Sequence, residues 1–181
     1  MSSTALGRAG LVSMLLAAAP FAASPAKAAG LLVPNDTTWS SDHTINGNLV
    51  IRGGPGGATL TINNGAKVES TDGYIADSRG SIGTVVVSGP GSTWDIVDAN
   101  PNGDRMLFIG GFEGGIYGGK GTLIIENGGK VSAKETYVGS LQEGDGTLVV
   151  RGAGSILATD YLGIAVGGLT LNTAAARFED G

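Results

Sequence analysis

Four groups of residues in this chain could do chemistry. The first is SSDHTI (residues 40–45), where serines lie close to the single histidine, His43. A serine hydrolase of the elbow type needs Gly-x-Ser-x-Gly, which is absent here. Neighbours in sequence do not make a triad, because the three groups must converge in space. His43 is therefore expected at the surface. The second is GGKGTLIIENGGKV (118–131), a glycine-rich run containing Lys120. A loop that cradles phosphate needs Gly-x4-Gly-Lys followed by Ser or Thr, set between a strand and a helix. Here Gly121 follows Lys120, and the β-rich run TLII comes next. Lys120 is expected in a solvated turn, and no nucleotide is expected.

The third group is DANPNGD (98–104). Asp98, Asn100, Asn102 and Asp104 are oxygen donors of the kind Ca²⁺ prefers, but the spacing lacks the bidentate Glu of a helix–loop–helix site. Turn formers at a loop tip account for the same residues. GGFEGGIYGGKG (110–121) has the glycines of a calcium-binding β-roll without its aspartate, and EGDGT (143–147) holds one Asp in a turn. No metal or cofactor is expected. The fourth group is Asp95, Asp98 and Asp104. Acids brought side by side can do acid–base work on sugars, and nearby aromatics could stack on sugar rings. The plainer alternative is that these acids keep a loop soluble while the tyrosines pack into a ladder. No residue is assigned a catalytic role, and the chain is not expected to be an enzyme.

These residues must be positioned by some scaffold, and composition narrows which. Glycine accounts for 33 of 181 residues without a collagen period of three, and 41% are hydrophobic, enough for a core. Only 15% are charged. The balance is acidic, which argues against nucleic acid as a partner, since phosphate binding needs clustered Lys and Arg. There is no cysteine, so packing and backbone hydrogen bonds must hold the fold.

Residues 1–29 read as a signal peptide. Arg8 precedes the apolar run LVSMLLAAAPFAAS, and small residues at Ala26 and Ala28 offer a cleavage site after Ala28 or Ala29. The run is shorter than the roughly 20 residues a spanning helix needs. Removing Arg8 and Lys27 leaves 9 basic residues against 16 acidic ones, a mature charge of about −7.

The remainder is repetitive. ATLTINNGAKVES (58–70) aligns with GTLIIENGGKVSA (121–133), and GTVVVSGPGS (83–92) with GTLVVRGAGS (146–155). Both offsets are 63 residues, with no gap between the two matches. Within each unit a smaller step of 25 residues separates Thr59 from Thr84 and Thr122 from Thr147. The step from Thr84 to Thr122 is 38, so about 13 extra residues fall there, and an insertion at 95–106 is expected to hold them. NGNLVI (46–51) resembles an irregular first copy, and GGLTLNTAAARFE (167–179) a partial last one.

Alternation along TLTI, TVVV, TLII and TLVV puts Leu60/Ile62, Val85/Val87, Leu123/Ile125 and Leu148/Val150 on one face. Thr59, Thr84, Thr122 and Thr147 fall on the other. A second column begins with Tyr74, Phe108, Tyr137 and Tyr161, and a third, weaker one runs through Val68, Thr93, Val131 and Ile156. Three short strands per step, separated by Gly and Asn turns, predict an all-β chain folded as a parallel β-solenoid. The divisions expected are 1–29 as signal peptide, 30–57 as the start or cap of the solenoid, and 58–181 as its repeats. About six coils can be built from the 152 residues that follow the signal. A β-sandwich also uses many short strands, but gives no reason for two ungapped offsets of 63.

GTLIIENGGKVSAKETYVGS and GTVVVSGPGSTW resemble the repeat of passenger regions in bacterial type V autotransporters and in related exported proteins with a PEP-CTERM sorting tail. The opening TTWSSDHTINGNLVI also resembles the start of such passengers, and the likeness covers about residues 37–171. It implies a right-handed parallel β-helix displayed at or beyond the outer membrane of a Gram-negative bacterium. It implies an adhesin or scaffold that meets a host or neighbouring-cell surface, through protein or glycan. The family's translocator barrel and sorting tail have no counterpart in this sequence. That departure suggests a passenger fragment, with a self-associating secreted form as the alternative.

Overall fold

The computed structural model describes residues 30–97, 103–111, 118–139, 144–164 and 173–179. The expected signal peptide, 1–29, lies outside them. The described residues form β-strands joined by turns and loops, and no helix among them is long and apolar enough to cross a membrane.

The fold is a parallel β-solenoid with three walls. One wall stacks β2 (Thr37–Trp39), β5 (Ala58–Ile62), β8 (Ile82–Ser88), β11 (Lys120–Glu126), β13 (Asp145–Arg151) and β15 (Thr173–Glu179). The second stacks β3 (His43–Thr44), β6 (Lys67–Ser70) and β9 (Thr93–Ile96) onto the first half of β12 (Lys130–Val138). The third stacks β1 (Leu31–Val33), β4 (Leu49–Ile51), β7 (Gly73–Ile75) and β10 (Met106–Ile109) onto the second half of β12. β12 runs unbroken round the corner between these walls, and β14 (Ile156–Ile164) pairs along it. Residues 30–57, the start of the solenoid, hold β1 and one full coil, β2 to β4, and are paired in both sheets.

The register explains the core. Leu60 pairs with Val85, Val85 with Leu123, and Leu123 with Leu148. All four side chains are fully buried, as are Ile62, Val87 and Ile125 one alternation further on. Thr59, Thr84, Thr122 and Thr147 line up on the outer face and are half-buried. Each inner Leu, Ile or Val contributes about 1.5–3 kcal/mol by leaving water, yet only because the coils above and below complete its contacts. Ala58, Gly83, Gly121 and Gly146 form a further inner column, where the first wall approaches the third most closely. A Cβ on Gly83 would lie 2.4 Å from the Ile51 carbonyl oxygen, and one on Gly121 2.3 Å from the Gly110 nitrogen. Of the glycines in GGKGTLIIENGGKV, Gly121 serves close backbone approach between walls, while Gly128 serves a turn at positive φ.

Several sequence expectations are corrected. The third column is Val68, Trp94, Val131 and Leu157, one residue away from Thr93 and Ile156. The cause is turn length. The register offset is 25 at Ile62 with Val87 but 26 at Lys67 with Thr93. The turn through Gly89 and Gly91 holds one residue more than the tight pair Asn64–Gly65, both of which have positive φ. The 13 extra residues are likewise shared out. The offset is 34 at Tyr74 with Phe108 and 38 at Ile82 with Lys120. One extra residue thus lies in the turn, eight lie between β9 and β10, and four lie between β10 and β11. NGNLVI supplies β4 of the third wall, so the first strand of the TLTI wall is TTW. At the other end that wall closes with TAAARFE, and 167–172 lie outside the described residues.

Candidate functional site

The residues with chemical potential are scattered by the fold. Alternation places His43 opposite the inward Val68, half-buried in the first coil and stacked on Trp39 with ring centroids 4.4 Å apart. It is partly covered by that stacking and keeps part of its surface exposed. Ser40 Oγ donates to Asn63 Oδ1, not to His43. Lys120 is exposed, as expected, but opens strand β11 instead of lying in a turn. Asp145 similarly opens β13. Asp98, Asn100 and Asn102 lie outside the described residues, while Asp104 is exposed. Among the described residues, no group of three or more His, Cys, Asp or Glu could hold a metal ion.

The aromatic column divides. Tyr74 pairs with Phe108 and Phe108 with Tyr137, their rings stacked at 5.5 and 5.1 Å. Their neighbours Gly73 and Leu107 point inward, where a Cβ on Gly73 would meet both Trp94 and Leu107. Tyr74 and Phe108 therefore stand on the outer side of the wall, but each is buried, with its ring face against the next. Faces used in this way are closed to a sugar. Tyr161 leaves the column. It pairs with Glu135, leans on Tyr137 with the rings tilted by 51°, and is 47% exposed.

Of the three acids grouped from the sequence, Asp98 lies outside the described residues, and Asp95 meets an acid from another strand, Glu69. Asp95 points outward from β9, directly over Glu69 of β6. Strand spacing puts such neighbours about 4.8 Å apart at the backbone. Asp95 accepts hydrogen bonds from Thr93 Oγ1 at 3.1 Å and Ser132 Oγ at 2.7 Å, while Glu69 is exposed. The hydroxyls hold Asp95 in the wall as a cross-coil brace, so the pair lacks two equally free carboxylates.

A concavity lies next to that brace. β9 and β10 are separated by nine residues, 97–105, of which 98–102 lie outside the described residues, whereas the coil below makes the same corner with Thr71 and Asp72 alone. β12 passes the gap unbroken, so a notch of about 240 Å³ opens in the side of the rod. Val97 and Arg105 stand at its rim, with Ser132 and Lys134 of β12 and Asp160 of β14 along its floor and side. Arg105 has φ of 47°, a left-handed conformation for a residue with a side chain. Its carbonyl oxygen accepts from the Lys134 and Glu135 amides at 3.1 and 3.5 Å, which pins that conformation. Its Nε is buried without a hydrogen-bond partner. Sequence analysis missed Arg105, Lys134 and Asp160 because they stand in three different coils and match no spacing within one.

No protein-family model, curated protein or solved structure matches the chain.

Proposed function

We propose that the chain is an exported bacterial β-solenoid, at the cell surface or secreted, that acts as an adhesin or structural scaffold. It works by presenting binding surfaces rather than by catalysis. The observation that carries this reading is the in-register rod. Its inner columns are aliphatic and its outer faces polar and β-branched. Where a coil is longer than its neighbours, the added residues fall between strands, in the β9–β10 and β10–β11 connections. Loops on a rigid frame are where binding concentrates. The apolar run followed by Ala26 and Ala28 supports export, and the resemblance of the repeat to autotransporter passengers supports a surface role.

The complete chain expressed in a Gram-negative host tests the reading. Cell fractionation and intact mass should find a product that begins at Ala29 or Gly30, outside the cytoplasm. The purified mature chain should then adhere to cell or glycan surfaces. An uncleaved product confined to the cytoplasm would remove the export half of the proposal. A cleaved product that adheres to nothing would remove the adhesin half.

A further inference from the structure

We propose that the notch beside β12 is a binding site for a carboxylate-bearing sugar, a uronic acid within an acidic polysaccharide. Arg105 and Lys134 supply the anion contacts. The inference concerns the purified rod and does not depend on where the protein resides.

Charge comes first. Arg105 and Lys134 are the cations lining the notch, and neither makes an ion pair with a described residue. A guanidinium with a buried, unpartnered Nε is costly unless something accepts from it, since an unmade hydrogen bond carries the desolvation of its donor. A carboxylate in the notch would accept from the terminal nitrogens of that guanidinium, the planar fork that arginine offers, since Nε itself has no surface open to the notch. The left-handed backbone at Arg105 points the same way. The Lys134 and Glu135 amides hold that backbone in place, which fixes where the Arg105 side chain leaves it.

The remaining lining selects among anions. Asp160 carries a negative charge into the same notch, and Asp95 lies behind Ser132. A compact, fully charged phosphate or sulfate would be repelled by both. A uronate brings one carboxylate for the cations and several hydroxyl donors for Asp160. The Ser132 hydroxyl already donates to Asp95, so its oxygen is left to accept from a sugar. Val97, 43% exposed at the rim, offers an apolar patch for the C–H face of a ring. At about 240 Å³ the notch is below the roughly 300–1,000 Å³ of pockets for drug-sized ligands, which limits the occupant to about one ring. It is open at the wall, so a chain can continue on either side.

Calorimetric titration of the full chain with galacturonate oligomers, the matching neutral galactose oligomers, inorganic phosphate and a glutamate hexapeptide tests the site. The acidic sugar should bind, and the neutral sugar should bind at least about tenfold more weakly, the worth of one charge-assisted hydrogen bond. Arg105→Gly is the decisive variant. Glycine accepts the left-handed backbone, so the fold should be retained or stabilised while affinity falls about tenfold or more. Lys134→Gln should weaken binding and its salt dependence without moving the unfolding midpoint. Equal binding of neutral and acidic sugars, no acidic-sugar binding at millimolar concentration, or unchanged affinity in a folded Arg105→Gly protein would overturn the proposal. Tighter binding of phosphate or of the peptide than of the uronate would overturn the ligand class.

Discussion

At Gly146 the chain can tolerate nothing larger than a hydrogen. An added Cβ would lie 2.2 Å from the Gly139 nitrogen and 2.5 Å from the Ile109 carbonyl oxygen, and both are backbone atoms held in the next wall. Neither can swing aside as a side-chain tip would. Gly146→Ala should therefore cost about 1–3 kcal/mol, the range for forcing a methyl into a packed interior. Gly54 is the control, because nothing lies within 4 Å of its Cβ direction. Gly54→Ala should stay within about 0.5 kcal/mol of the parent. Urea unfolding of the two proteins checks the contrast, and equal midpoints would mean that the first and third walls are not pressed together at this column. Trp94 shows the opposite use of space. Its indole fills the corner left by Gly73, and its Nε1 donates to Ser70 Oγ at 3.0 Å inside the core. The small residue of one coil and the large one of the next are a single packing decision.

At the scale of the strand, register decides what each residue does. β9 differs from the strand below it by a turn one residue longer, and that one residue turns Trp94 inward and Thr93 and Asp95 outward. A slip of one place would bury Asp95 and expose the indole. Trp94→Ala should cost about 3–5 kcal/mol, while Thr93→Val, which loses a half-exposed bond to Asp95, should cost less than about 0.5 kcal/mol. Thermal or urea denaturation distinguishes the two, and a larger cost at Thr93 would show the strand paired in the other register. The TLTI-type wall was legible from sequence because its four strands share one alternation and pair without a shift in register. The Val68 column was not, because turns alternate between a short Asn–Gly pair and a longer Gly-x-Gly form. Both forms recur in each 63-residue unit, so an ungapped match across units hides the one-residue step within each. The displacement of Tyr161 from the aromatic ladder has the same origin, since the offset from β12 to β14 is 26 throughout. Arg105 was illegible for a different reason. Its importance comes from a strained φ and a missing partner, and neither leaves a mark in residue type or spacing.

At the scale of the whole molecule, stability should be graded along the rod. Each coil contacts only its neighbours, so the free energy of opening is close to a sum of coil and interface terms rather than one global value. β8 is hydrogen-bonded on both sides, to β5 and β11, and β11 likewise to β8 and β13. β14 pairs only with β12 and β15 only with β13 among the described residues. β14 also exposes Ile156, Tyr161 and Ile164, so it has buried less apolar surface than any inner strand. Opening an inner coil breaks two interfaces and uncovers the inner columns on both sides. Opening an outer coil breaks one. Amide hydrogen exchange of the mature chain should therefore be slowest in Val85–Val87 and Leu123–Ile125. It should be faster in β14, by about tenfold for every 1.4 kcal/mol that the second interface adds to an inner coil. Exchange at one common rate across β5, β8, β11 and β14 would mean that the rod opens as a single unit. The notch would feel this gradient as well, because Asp160 rides on β14 while Lys134 rides on β12. If β14 exchanges faster than β12, a ligand that touches both strands should slow β14 selectively, and its protection would report occupancy of the notch without any change in the inner coils.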